Sequence, residues 1–443
     1  KSRRDFFKKS AMSLGALSIL PANVIFASKG TKNKYGEVIK PASFVPGDKV
    51  NMAFCGIGNR GRQILNDFMN TGMVNNVAMC DTDMGAEHTL ESIQKYPDVK
   101  RFKDFRVMFD EMSNDIDAVC VGTPDFSHFP ITILAMSMGK HVYVEKPLTR
   151  TFYESELLMN AERKYKVVTQ MGNQGHSGAN YFQFKAWKEA GIIKDVTKVV
   201  AHMNNRRRWH GWDTSLRKMP GGQPVPETLD WDTWLTTSQY QGYHPDYVNG
   251  QWRCWYDFGM GALGDWGAHI IDTVHEFLDL GMPNEVNPLY LEGHNPLFYP
   301  QSTSLDFKFP ARKGMPALTI SWYDGLNNQP EIPEGYGTSE LAEDIPAAST
   351  GKIEKIKLNP GKIIYSKELT FKGGSHSSPL SIIPAEAAND MAGKLPEVPE
   401  SPSNHFENFV KACKGEEDSR SPFSVSAPLS QVFSLGTIAQ RLG

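Results

Sequence analysis

Residues 50–81 constrain the fold more than any other stretch of this chain. They read V-N-M-A-F-C-G-I-G-N-R-G-R, then a helical run, then V-A-M-C-D. An apolar strand over Val50–Cys55 runs into G-x-G-x-x-G at Gly56, Gly58 and Gly61, and a second over Val74–Cys80 ends at Asp81, 25 positions after Gly56. Strand, glycine turn, helix, strand and acidic residue in this order form a βαβ unit shaped for a dinucleotide. Gly56 permits the tight turn, Gly58 lets the backbone approach a pyrophosphate, and Gly61 lets the helix pack close to the strand. Asn59 and Arg60 complete the turn. Phosphates would rest on the free N–H groups of the helix N-terminus, where the dipole favours negative charge. Asp81 would accept hydrogen bonds from ribose hydroxyls and repel a 2′-phosphate, which favours NAD. Arg60 and Arg62 keep NADP open, since an arginine pairs with such a phosphate.

Alternating strand and helix patterns fill residues 49–172, with strands near 50–55, 74–80, 117–122, 141–145 and 167–171. The helices between them lie over 61–71, 84–95, 105–112, 130–138 and 153–165. This order predicts an α/β fold with an N-terminal, doubly wound parallel sheet. The pattern changes over 173–443, where apolar-alternating runs such as 196–203, 289–293, 304–309 and 318–322 are separated by loops. A second α/β domain with a large, mostly antiparallel open sheet is expected, one face covered by helices. Residues 326–350 and 373–402, rich in Pro, Glu, Ser and Gly, read as long surface loops. Two helices close the chain, over 404–414 and over 427–441 with Pro428 in its first turn.

The first residues, K-S-R-R-D-F-F-K-K-S, resemble a twin-arginine export signal, followed by an apolar run broken by Gly15, Pro21 and Asn23. Residues 1–30 are therefore read as a signal peptide and 31–48 as a polar linker, giving a periplasmic destination. The twin-arginine route carries folded proteins, so the nucleotide would bind tightly in the cytoplasm and travel with the chain. The formal charge is −3, or about −7 without Lys1, Arg3, Arg4, Asp5, Lys8 and Lys9. That acidity is a poor match to nucleic acid or a membrane surface. Cys55, Cys80, Cys120, Cys254 and Cys413 are an odd count without C-x-x-C. They predict buried thiols rather than a disulfide framework or a metal site.

Three further motifs carry chemistry. Thr123-Pro124-Asp125-Phe126-Ser127-His128 follows the third strand, at the carboxyl edge where ligands of open α/β sheets bind. Glu145-Lys146-Pro147 ends the next strand and aims a lysine at the nicotinamide end of the crevice. Gly264-Asp265-Trp266-Gly267-Ala268-His269 places Asp265 and His269 four apart, on one face of a helix.

Together these motifs resemble the Gfo/Idh/MocA oxidoreductase family, which includes glucose–fructose oxidoreductase and inositol dehydrogenase. The resemblance covers nearly the whole chain after the signal. It implies NAD(P) held by Gly56, Gly58, Asn59, Arg60, Gly61, Asp81, Thr123, Pro124, His128, Glu145 and Lys146. It implies that Lys146, Asp265 and His269 correspond to the family's catalytic lysine, aspartate and histidine, and that a homodimer or homotetramer forms through the second sheet.

Oxidation of an alcohol needs a base for the hydroxyl proton, and His269 is the natural candidate. Lys146 can stabilise developing alkoxide charge. Asp265 can bind a neighbouring hydroxyl or orient His269; the choice between base and orienter stays open. Seven of the nine tryptophans fall within residues 209–266, interspersed with Asn204–Arg208, Tyr243, His244 and Arg253. Such a cluster favours a carbohydrate, whose ring faces pack on aromatic rings. Arg253 and Trp255 are candidate substrate contacts, as are Asn173, Gln174 and His176 at the domain junction. The expectation is an exported NAD(P)-dependent oxidoreductase acting on a sugar, glycoside or polyol. A glycoside-cleaving enzyme that recycles its nucleotide and a non-catalytic sugar-binding protein are the alternatives.

Overall fold

The computed structural model describes residues 48–204, 213–248, 250–312, 314–325, 328–337 and 358–443. The proposed signal, the linker up to residue 47, Arg206–Arg208, Trp209 and Trp212 lie outside them. Six strands, β1 (Val50–Cys55), β2 (Val74–Cys80), β3 (Lys100–Phe102), β4 (Ala118–Val121), β5 (His141–Val144) and β6 (Thr169–Met171), form the first sheet. All pair in parallel, in the order β3-β2-β1-β4-β5-β6. Parallel strands need crossovers, and helices α1 (Asn59–Asn70), α2 (Glu87–Lys95), α3 (Phe105–Met112), α4 (Asp125–Ser137) and α5 (Phe152–Tyr165) supply them. Every residue of β4 and β5 is buried, which is why both read as apolar runs apart from His141 at the start of β5. Strand β3 is a short edge strand with two exposed basic residues, and no apolar run announced it.

The later elements are α6 (Ala179–Glu189), β7 (Val196–Met203), α7 (Trp231–Leu235), α8 (Gly261–Ile270) and α9 (Asp272–Phe277). They continue with β8 (Glu285–Glu292), β9 (Ser302–Phe309), β10 (Leu318–Asp324), β11 (Gly361–Ser366), β12 (Thr370–Gly374) and β13 (Ser381–Ile383). The chain closes with α10 (Ala385–Met391), α11 (His405–Cys413) and α12 (Phe423–Leu442). The second sheet runs β13-β12-β11-β7-β10-β9-β8, antiparallel except for the β7–β10 pair. Alternation decides its faces: Val199, Ala201 and Met203 of β7 join Leu305, Phe307, Ile320 and Trp322 in the core shared with the helices. On the other face Val200 and Ile363 pack with Tyr336, whose hydroxyl lies 2.7 Å from His202 Nε2.

Three details differ from the sequence reading. The stretch 373–402 is not all loop, since it holds the end of β12, all of β13 and α10. Helix α12 begins at Phe423, so Pro428 sits inside it rather than in its first turn. Helix α11 leaves the second half of the chain and packs on the first sheet, where Phe409, Val410 and Cys413 join Phe54, Phe68 and Tyr143. Phe68 makes edge-on contacts with Tyr143, Phe406 and Phe409 at centroid distances of 5.1, 5.1 and 5.8 Å. Reciprocal capping of α11 by Asn404 and Glu407 fixes where that helix starts.

Candidate active site

The carboxyl ends of β1, β2, β4 and β5 open into a cleft of about 760 Å³. Its floor is the first glycine turn. Gly56 has φ +80°, and a Cβ there would meet the Gly122 carbonyl carbon at 2.7 Å. A Cβ on Gly61 would lie 2.0 Å from the Gly56 oxygen, so this helix can approach its strand only with glycine at that position. Gly58 is covered by His88, whose Cδ2 a Cβ would meet at 2.1 Å. At the end of β2 the Asp81 carboxylate accepts the Ile57 N–H (3.0 Å) and the Asp83 N–H (3.1 Å). Burial raises its pKa, and those two backbone bonds oppose the rise. Each carboxylate oxygen keeps a further lone pair for a ribose hydroxyl. These features fit a bound dinucleotide: Gly56 and Gly61 hold a turn that no Cβ would allow, and an acidic acceptor stands at its adenosine end, with His88 over Gly58. The arginines that kept NADP open are engaged within the chain, Arg60 with Glu145 (3.5 Å) and Arg62 with Glu91.

Lys146 and Arg253 line the other end of the cleft, while Asp265 and His269 lie behind them and do not line it. Lys146, just past β5, donates to the Asp265 carboxylate and to the Asp265 carbonyl, each at 2.8 Å. Arg253 Nε lies 3.4 Å from the same carboxylate oxygen. Burial lowers the Lys146 pKa, and the Asp265 and Glu145 charges hold it up. His269 follows one turn later on α8, and its pKa is held well below the usual histidine range by burial, then by His376 and Lys146. It is therefore a neutral ring at physiological pH, as a proton acceptor must be. Asp125, in the second motif, was given no role by the sequence reading, yet it lines the cleft beside this cluster. It accepts the Met260 N–H at 3.1 Å, and burial pushes its carboxyl up to about 7 against the pull of Arg253.

Thr123, Pro124, Glu145 and His128 all line the cleft. The two ring nitrogens of His128 each lie 2.8 Å from a carbonyl oxygen, Pro147 on one side and Thr123 on the other. His128 thus braces the two motif loops against each other. Gln174 lies against the Gly172 carbonyl and the Arg60 guanidinium. Asn173 and His176 are buried beneath α9, with His176 3.4 Å from both Asp272 and Glu276 and 3.1 Å from the Arg420 carbonyl. Arg253 faces the cleft, whereas Trp255 does not: it is fully buried, donates to the Asp246 carbonyl (3.0 Å) and packs on Tyr247 and Phe298. Trp231, Trp234 and Trp252 belong to the same aromatic cluster. Those four tryptophans build a packed cap, although Trp234 and Trp252 also show an edge to the cleft.

That cap crosses from the second half of the chain onto the adenosine end. Asp230 N donates to the Thr82 carbonyl (2.8 Å), Lys103 Nζ to the Thr228 carbonyl (2.8 Å), and Asp83 bridges to Leu229. Phe126 packs on Trp234 and Phe258 at 4.9 and 5.2 Å. Among the described residues no group of three or more His, Cys, Asp or Glu could hold a metal ion. All five cysteines are buried thiols.

Comparison with known proteins agrees with this geometry. An oxidoreductase-family NAD-binding Rossmann fold matches residues 50–173, and the C-terminal alpha/beta domain of the oxidoreductase family matches 184–296. A glycosyl hydrolase family 109 protein from Shewanella sp. (strain ANA-3) is 31% identical over 217 residues, 47% of this chain and 47% of that protein. An alpha-N-acetylgalactosaminidase from Shewanella oneidensis is 30% identical over 181 residues, 39% of each chain. The matched stretch thus spans less than half the length of either relative. The WlbA dehydrogenase from Chromobacterium violaceum, solved with NADH and UDP-GlcNAcA, superposes with a TM-score of 0.58 at 15% identity, covering 92% of this chain and 97% of that one. An aldose-aldose oxidoreductase from Caulobacter crescentus gives 0.55 at 16% identity, covering 89% and 98%. Those two likenesses show the fold. Fold and cleft define an NAD-binding oxidoreductase. The chain belongs to the Gfo/Idh/MocA family of such enzymes.

Proposed function

We propose that this chain oxidises a ring hydroxyl of a sugar or glycoside with an NAD that stays in its cleft. The observation that carries the reading is the buried Lys146–Asp265 ion pair, whose lysine lines the same cleft as Asp81. The Gly56–Gly61 turn and Asp81 would hold the dinucleotide, and the nicotinamide supplies a hydride acceptor when bound. Lys146, fixed by Asp265, is placed to donate a hydrogen bond to the substrate oxygen and stabilise its negative charge. His269 takes the hydroxyl proton. Arg253 and Asp265 are the groups nearest to hand for neighbouring hydroxyls. The cap over Thr82–Gly85 supports a tightly held nucleotide, and the twin-arginine pattern at Arg3-Arg4 supports export of the loaded protein. A homo-oligomer formed through the second sheet belongs to the same proposal.

A second reading has its own support. Relatives named as glycosyl hydrolase family 109 proteins favour cleavage of a glycoside with no net change in the nucleotide. The two readings separate in one experiment. Purified chain loaded with NAD is mixed with free sugars, polyols and aryl glycosides while nicotinamide absorbance and released aglycone are followed together. Lasting reduction by a free sugar or polyol supports the dehydrogenase. Aglycone release without lasting reduction supports cleavage. Absence of both overturns the catalytic reading.

A further inference from the structure

His269 lacks the support a catalytic histidine usually has. The second ring nitrogen of such a residue is normally fixed by a carboxylate or carbonyl, which sets the tautomer and the plane of the ring. Here Nδ1 of His269 is buried and meets no hydrogen-bond partner among the described residues. What the ring meets is another imidazole. His376 lies face to face with it, centroids 3.8 Å apart and planes 13° from parallel. The His376 N–H also donates to the His269 carbonyl at 2.8 Å.

His376 is itself held from several sides. It follows β12, with φ +55°, a backbone region that a residue bearing a Cβ seldom adopts. Its Nδ1 lies 3.0 Å from Ser375 Oγ. The Trp266 indole stands edge-on to both rings, 6.2 Å from His269 and 5.7 Å from His376. Gly175, in the turn after β6, closes on the loop, since a Cβ there would lie 3.0 Å from the His376 carbonyl oxygen. A non-glycine residue in this conformation, clamped between an indole, a serine and a close-packed glycine, is over-determined by its surroundings. Such outliers cluster at functional sites.

We propose that His376 is a positioning residue of the site: stacked on His269, it sets the plane of that imidazole and restricts the pair to one proton. Two imidazolium rings at this separation, buried together, would repel strongly. The other charges facing His269 are Lys146 and Arg60, which also oppose its protonation, and Asp265, which favours it. Asp272 lies on the far side of the loop, 3.4 Å from the Gly175 Cβ position, with His176 and Lys362 beyond it. The consequence for turnover rests on the reading of His269 as proton acceptor, but the pairing itself does not.

The test is a pH titration of ¹⁵N-histidine-labelled, NAD-loaded protein by NMR, wild type against His376→Phe. Phenylalanine keeps a stacking ring and removes the second basic site. In wild type the two rings take up at most one proton between them across the range in which free histidine titrates. In His376→Phe the His269 midpoint moves up, and the acid limb of the turnover profile moves to higher pH with it. If His376→Phe leaves that midpoint unchanged, the proposal is overturned. It is also overturned if both wild-type rings protonate together at the ordinary histidine pH. Should the phenylalanine variant fail to fold, the wild-type titration decides, and His376→Gly, which the positive φ accepts without strain, supplies the second variant. A shifted titration in a protein that turns over no sugar would sink the functional reading and leave the pair standing. Turnover with no shift would do the reverse.

Discussion

The two ends of the cleft are built on different principles. The adenosine end is local: Gly56, Gly58, Gly61 and Asp81 fall within one βαβ unit, and each performs its task through backbone geometry or a single carboxylate. The reactive end is assembled from afar. Lys146 meets Asp265 across 119 positions of sequence, and His269 meets a histidine from the loop after β12. A motif-bound site tolerates little change at fixed positions, whereas an assembled site depends on everything that brings its parts together. The cap over Thr82 links the two ends, because residues of the second half of the chain seat on the first.

That contrast can be broken at either end. The largest effect is expected from Lys146→Ala, which should lower turnover by about 10²–10³-fold while NAD still co-purifies, as judged by steady-state rates and bound-nucleotide absorbance. A variant that loses nucleotide with activity would show that the two ends are not separable. At the local end Gly61→Ala should abolish NAD retention, since its Cβ would collide with the Gly56 oxygen; equilibrium dialysis measures this. Phe409→Ala removes a ring packed on Phe68 and Tyr143 and should cost about 3–5 kcal/mol in denaturant unfolding. That loss would show how far a helix from the end of the chain supports the nucleotide domain.

Asp125 gives a pH-dependent prediction. Burial raises its pKa from 3.8 to about 7, so between these values the folded chain holds a proton that the unfolded chain has lost. Its contribution to stability is full below the unfolded pKa and declines as pH rises towards about 7. Asp125→Asn, always neutral, should therefore gain on wild type across that window, by at most about 4 kcal/mol, in unfolding curves taken at a series of pH values. A constant difference would place the Asp125 proton elsewhere. The smallest effect is expected from Trp255→Phe. It loses the bond to the Asp246 carbonyl and should cost about 1 kcal/mol with the KM for sugar unchanged. A raised KM would return Trp255 to the substrate site.

The same contrast explains what could be read from sequence. β1, α1, β2 and the glycine turn were legible because short-range periodicity and turn chemistry encode them together. The pairing of Asp265 with His269 on one helix face was legible for the same reason. Asp125 lay in plain sight within Thr123–His128, but its importance comes from burial beside Arg253 and Asp265, which no local pattern reveals. His376 stood in a run of Gly and Ser that reads as loop, and only the closure of that loop on α8 gives it a role. Tryptophan clustering could not separate ring faces offered to a sugar from rings packed against one another. Trp231 and Trp234 stack on each other at 4.6 Å. Strands β11 to β13 were missed because they are short and glycine sits at the ends of β11 and β12; β11 is placed by pairing with β7 across a long sequence gap, and β12 and β13 add to it in turn.

In the proposed function Lys146, held by Asp265, serves hydride chemistry in the cleft that Asp81 also lines. The most direct measurement is nicotinamide absorbance during a single turnover of NAD-loaded protein with sugars and aryl glycosides, wild type beside Lys146→Ala. A reduced-nicotinamide signal is expected in wild type, transient or lasting, and none in a variant that still holds its nucleotide. Product formation in wild type without any such signal, or an undiminished signal in Lys146→Ala, would contradict that function.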